Sequence, residues 1–161
     1  MSNAEGIPDM AAIQYKVPLV AQARTMSCWY AAACMVAYAY EPGPRYGIPQ
    51  IWLGNRGLPF ARLAELAWNE KMRVLRSASH EFTPASMIST LSFYGPIWAG
   101  GNWFGVPHAV VITGADDVGS GNIVFNDPDG GVVKTGTIPW LNERRVRGAM
   151  MARGYPPRLQ P

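Results

Sequence analysis

Apolar positions fall into two regimes along this chain. Before about residue 95 they recur at helical spacing, and after it they gather in short β-rich runs between glycine, aspartate and asparagine turns. The segment Tyr15 to Ala21 reads as extended, with Pro18 confining it to a sheet edge or a polyproline stretch. A polar turn, Gln22 to Ser27, leads into a helix rich in alanine and aromatic residues, with Ser27 placed to cap it and Glu41-Pro42-Gly43-Pro44 to stop it. That helix is apolar almost all round, so it must be buried. After a looser stretch with Gly47, Pro49, Gly54, Gly57 and Pro59, the spacing of Leu63, Leu66 and Ala67 predicts a second helix over about Phe60 to Asn69. Thr83 as cap and Pro84 at the first helical position predict a third, through Met87, Ile88 and Leu91 to Gly95. Strands are predicted over Pro96 to Ala99, His108 to Thr113, Asn122 to Asn126 and Val132 to Thr137. Helices followed by a meander imply an α+β fold, with the helices packed on one side of an antiparallel sheet.

Composition narrows the class. A length of 161 residues suits one domain. Ser2-Asn3-Ala4 resembles the remnant of a cleaved tag, so residues 1–4 are set aside and 5–161 are taken as one domain, open to having been excised from a longer protein. The chain is 48% hydrophobic and only 16% charged, which excludes a disordered tail and a coiled coil. A net charge of +3 is too small and too scattered to point to nucleic acid, and the densest basic spot, Arg144, Arg145 and Arg147, reads as a solvated face. The longest apolar run, Cys28 to Tyr40, has 13 residues. That is well short of the ~20 needed for a membrane span.

The two cysteines, Cys28 and Cys34, lie six apart, hence about 240° from each other around a helix, and are not placed to form a disulfide. With two histidines and no metal-ligand spacing, neither a metal nor any other cofactor is expected.

Cys28 stands at the first turn of the buried helix, where free backbone N–H groups and the helix dipole favour negative charge and hence the reactive thiolate. It is either a nucleophile or a small buried hydrophobe, whereas Cys34, inside the helix, is core. His108 opens a strand that has no structural need for imidazole, and antiparallel pairing with the next strand would bring Asp127 or Asn126 beside it. A Cys-His-Asp set has a defined chemistry: the third residue fixes the imidazole tautomer, the histidine moves the proton, and the thiol attacks a carbonyl. The Cys28 backbone N–H and the side-chain amide of Gln22, six residues earlier, would supply oxyanion donors. His80 is expected to be exposed. Gly100 and Gly101 either let a substrate backbone approach or form a hairpin turn, and Trp29 is core or groove floor. The loop from Trp103 to Pro107 is a substrate wall or ordinary packing.

Taken together, Gln22, Ser27-Cys28-Trp29, His108 and Asp127 resemble, in that order, the papain-like cysteine peptidases. Papain itself has asparagine as third residue and Cys-Gly where this chain has Thr25-Met26. The intervals of 80 residues from Cys28 to His108 and 19 from His108 to Asp127 are similar to the compact bacterial branches, namely the peptidase domains of bacteriocin-processing transporters and the avirulence-type effector peptidases. The wording is nearest the latter over Val17 to Pro128: Val-Pro-Leu-Val-x-Gln, Ser-Cys-Trp-x-Ala-Ala, Gly-Pro-Ile-Trp, His-Ala-Val-Val and Asn-Asp-Pro. The resemblance implies a papain-like fold with a helical N-terminal part carrying the nucleophile and a C-terminal antiparallel sheet carrying histidine and aspartate. It implies Cys28, His108 and Asp127 as catalytic residues and Gln22 at the oxyanion, and beside these Trp29, Gly100, Gly101 and Trp103 are the candidates for the substrate side. It further implies a protein or peptide substrate, secretion or delivery into a target cell, and a cognate immunity or inhibitor protein. The same dyad also serves acyl transferases, deamidases and cell-wall amidases, and an inactive relative would act as a binding module.

Overall fold

The structure is a computed structural model and describes residues 11–76 and 80–157, so the tag-like Ser2-Asn3-Ala4 lies outside it. In chain order the elements are β1 (Ala12–Gln14), α1 (Cys28–Tyr38), α2 (Pro49–Leu53), a 3-10 turn (Phe60–Arg62), α3 (Leu63–Asn69), β2 (Arg73–Val74), α4 (Pro84–Tyr94), β3 (Ile97–Gly101), β4 (His108–Asp116), β5 (Asn122–Asp127), β6 (Val132–Thr137), α5 (Ile138–Arg144) and β7 (Arg145–Ala152).

Helix α4 shows why its ends fall where they do. The Thr83 hydroxyl accepts from the Ser86 N–H and the Ser86 hydroxyl accepts from the Thr83 N–H, while Pro84 takes the first position, where a missing donor costs nothing. Gly95, at φ 82°, ends the helix in a conformation that a side chain would resist.

One antiparallel sheet runs in the order β2-β7-β3-β4-β5-β6, with β1 also paired to β4. Strand β4 is its centre. Along one edge β3 covers His108 to Ile112 and β1 covers Gly114 to Asp116, while β5 lines the other edge. Pairing with β4 begins ahead of the predicted extended segment, at Ala12–Gln14, and reaches into it at Tyr15, whose N–H donates to the Thr113 carbonyl, but not to Pro18, which has no N–H to give.

Helices cover both faces of the sheet, not one as the sequence suggested. On one face α1 and α3 (Ala32, Ala33, Val36, Leu66) pack with Trp98, Ala109, Val111 and Met151. On the other, α4 and α5 (Met87, Leu91, Ile138, Leu141) pack with Ile97, Val110, Ile112 and Phe125. Successive residues of β3 and β4 are apolar, so both faces needed cover.

Strand β7 and helix α5 were not foreseen. Two arginines and Gly148 hid an apolar strand ending Ala149-Met150-Met151-Ala152, all buried. The reading of the basic cluster as a solvated face is corrected at Arg145, which is only 7% exposed. Its guanidinium lies 4.9 Å from the Phe82 ring centre and donates to the His80 carbonyl.

Candidate active site

Cys28 opens α1, and the turn ahead of it is held from several sides. The Gln22 backbone N–H donates to the Pro128 carbonyl at 2.8 Å, tying this turn to the one after β5. Asn55 accepts from the Met26 N–H at 3.0 Å and donates to the Thr25 hydroxyl at 2.9 Å. Ser27 occupies the N-cap position but does not cap: its hydroxyl folds back on the backbone of Arg24, at 3.0 Å to both N and O. No cap side chain therefore claims the Cys28 N–H, which stands beside the thiol, while the Tyr30 N–H turns back to the Ser27 carbonyl.

From the sheet, His108 opens β4 and Asp127 ends β5. The His108 Nε2 lies 2.6 Å from the Asp127 Oδ1. The other ring nitrogen, Nδ1, is left for Cys28, which lies near enough to favour the charged imidazole. Strand alternation decides between the two neighbours weighed from the sequence. Asp127 points to the face of His108, while Asn126 points the opposite way and donates to the Val17 carbonyl at 3.2 Å.

The charges are strongly coupled. Burial opposes the His108 cation, but hydrogen bonds and charge from Cys28 and Asp127 outweigh it and push the imidazole up to about 9. For Asp127, burial works against ionisation, yet hydrogen bonds from His108, Lys134 and the Asp129 N–H hold its carboxyl below the usual value. Cys34 is different. Burial pushes its thiol up to about 11, among Tyr30 and Tyr38, so it is inert core.

The supporting residues expected from the sequence are placed less simply. Both hydrogens of the Gln22 amide are spent on the carbonyls of Arg24 and Thr25, at 3.0 and 2.9 Å, while its Oε1 is buried without a partner. Trp29 is buried in the core and donates to the Arg56 carbonyl, so it is not a groove floor. Trp103 is likewise buried against Trp140, and cannot touch a substrate. Gly100 and Gly101 lie within β3, not after it, and the space a side chain would take is filled by Ala149 at the first and by the Arg144 carbonyl and the Trp103 ring at the second. Their small size serves internal packing. The loop before His108 does offer a wall, through Phe104, which is about half exposed with its ring centre 6.0 Å from that of His108. His80 is exposed, as expected.

Lys134 escaped the sequence reading. It lies on β6 directly opposite Phe125, so it shares a face with Asp127, two residues further along β5. Its Nζ is 2.7 Å from the Asp127 Oδ2. Only that register, invisible before the strands are paired, would have signalled it.

The family profile described as "Papain-like cysteine protease AvrRpt2" matches residues 11–145, which includes every residue of this constellation. The chain belongs to that family. A solved structure of similar fold is a double glycine motif protease from an AMS/PCAT transporter in complex with the leader peptide. It is 17% identical to this AvrRpt2-family chain, with a TM-score of 0.53, over 86% of this chain and 91% of that one. The papain-like α+β fold, with helices first and antiparallel sheet after, is shared between them.

Proposed function

We propose that this AvrRpt2-family protease is a secreted or injected effector or toxin that cleaves a protein target, with Cys28 as nucleophile, His108 as base and then acid, and Asp127 as the residue that orients the ring. The observation that carries this reading is the 2.6 Å bond from His108 to the buried Asp127, on an imidazole whose positive charge Cys28 also favours. The thiol proton passes to Nδ1 and the sulfur bonds to the substrate carbonyl carbon, whose oxygen takes the negative charge. The imidazolium returns that proton to the leaving amine as the C–N bond breaks, which leaves a thioester. Water, deprotonated by His108, then adds to the thioester, releasing the new carboxylate and restoring the thiol.

The oxyanion faces the Cys28 backbone N–H, which the uncapped helix start leaves open. Gln22 joins as second donor when its amide exchanges the Arg24 and Thr25 carbonyls for the substrate oxygen. A peptide substrate agrees with the leader peptide bound to the similarly folded protease. A cognate immunity or inhibitor protein belongs to the same reading.

The test is N-terminal labelling and mass spectrometry of extracts from plant and bacterial cells treated with the protein or with Cys28→Ala. New N-termini that depend on Cys28 support the proposal. Cys28-dependent ammonia release or cross-linking without new N-termini would replace it with deamidation or acyl transfer, and no Cys28-dependent change in any extract would leave a binding module.

A further inference from the structure

We propose that Lys134 is a positioning residue of the proteolytic centre, setting the basicity of His108 through the second oxygen of Asp127. The inference rests on the reading of Cys28 and His108 as a working pair. Asp127 is fully buried, and its two oxygens are divided: Oδ1 meets His108 at 2.6 Å and the Asp129 N–H at 2.9 Å, while Oδ2 meets the Lys134 ammonium at 2.7 Å. The lysine is held in place on its other side by the Phe104 ring, whose centre is 4.2 Å from Nζ. Phe104 in turn stands beside the His108 ring, so lysine, phenylalanine and histidine form one contiguous group over the carboxylate.

The charged and titratable groups around this carboxylate come from every neighbouring element. His108 belongs to β4, Lys134 to β6 and Cys28, through His108, to α1, while Asp129 lies exposed in the turn after β5. Arg144 of α5 lies 6.0 Å from the Trp140 ring centre. Lys134 is therefore the cation that shares the Asp127 carboxylate with the imidazolium.

Its effect follows from charge. A buried carboxylate with no other cation would bind the imidazolium proton tightly and make His108 a poor acid toward the leaving amine near neutral pH. An ammonium on the second oxygen draws part of that charge away and lowers the imidazole's basicity. With Lys134 about 40% exposed, solvent screens the effect to a modest size.

Only two histidines are present, and exposed His80 serves as an internal reference. The experiment is NMR titration of protein with labelled histidine, as wild type, Lys134→Met, Lys134→Gln and Lys134→Arg. Removing the cation in either neutral variant should raise the His108 midpoint by roughly 0.5 to 1 unit with His80 unmoved, while Lys134→Arg stays near wild type. An unchanged or lowered His108 midpoint in the neutral variants, when Cys28→Ala does lower it, overturns the role of Lys134 alone. A midpoint that Cys28→Ala leaves untouched removes the thiol–imidazole pairing itself, and so overturns the proposed function together with this role.

Discussion

Trp98 on β3 donates its indole N–H to the carbonyl oxygen of Trp29, the second residue of α1, at 3.0 Å. The bond is buried and crosses from the sheet to the helix turn that carries Cys28. Trp98→Phe keeps an aromatic ring but removes the donor, so it should cost about 0.5–1.5 kcal/mol for the hydrogen bond plus a smaller packing loss. Urea denaturation measures that cost. Slower alkylation of Cys28 in the folded variant would show that the bond also aligns the nucleophile.

The two thiols should differ sharply toward iodoacetamide at neutral pH. Cys34, held up at about 11 by burial, should stay unlabelled in the native protein, while Cys28 labels rapidly and loses that speed in His108→Ala. Peptide mass analysis after limiting reagent reads both sites at once. Equal labelling of the two would sink the pairing of Cys28 with His108.

Asp127→Asn should be more damaging than a simple ring-orienting role suggests. The carboxylate presents one acceptor to His108 and another to Lys134, whereas an amide has a single acceptor oxygen and turns its N–H₂ toward one of the two donors. We expect a loss of roughly 10- to 100-fold in the rate of Cys28-dependent cleavage, partly recovered by adding Lys134→Met, against a loss of 10³-fold or more in His108→Ala. Rates on whichever protein the labelling experiment identifies will decide it.

Stability should fall on both sides of neutrality, for opposite reasons. His108 sits at about 9 in the folded protein against about 6.5 unfolded, so its contribution is complete below about pH 6.5 and is lost as the pH rises through about 9. Asp127 is held below its ordinary value, so its contribution is present above about pH 3.9 and is lost as the pH falls through its lower folded value. Melting temperatures across pH 2 to 10 should show both slopes. His108→Ala should flatten the alkaline one.

Legibility from the sequence varied with how locally each feature is determined. Thr83-Pro84 and Gly95 mark helix α4 because cap chemistry lies within a few residues of each end. The meeting of His108 with the turn after the next strand was readable because antiparallel neighbours bring the start of β4 beside the end of β5, while the choice of Asp127 over Asn126 needed the register. Trp29 and Trp103 misled, since an aromatic residue near a nucleophile looks the same in sequence whether it packs inward or lines a groove. Arg145 hid β7 because its burial depends on Phe82 and the His80 carbonyl, more than sixty residues away. Lys134 required the pairing of β5 with β6 before it could be seen beside Asp127.

The thiol and the imidazole belong to different layers, one on α1 and the other on the sheet beneath it. Among the side chains that meet between those layers, beside Val36, Trp98 and Val111, are Ala32 and Ala33 on the helix and Ala109 and Ala149 on the strands. Where these alanines face one another the helix can come close to the strands, and it brings the turn that carries the thiol with it. Adding one or two carbons at such a position would press the helix and the strands apart without touching any polar atom. In that sense a few methyl groups, with no chemistry of their own, bear on the reach of the thiol.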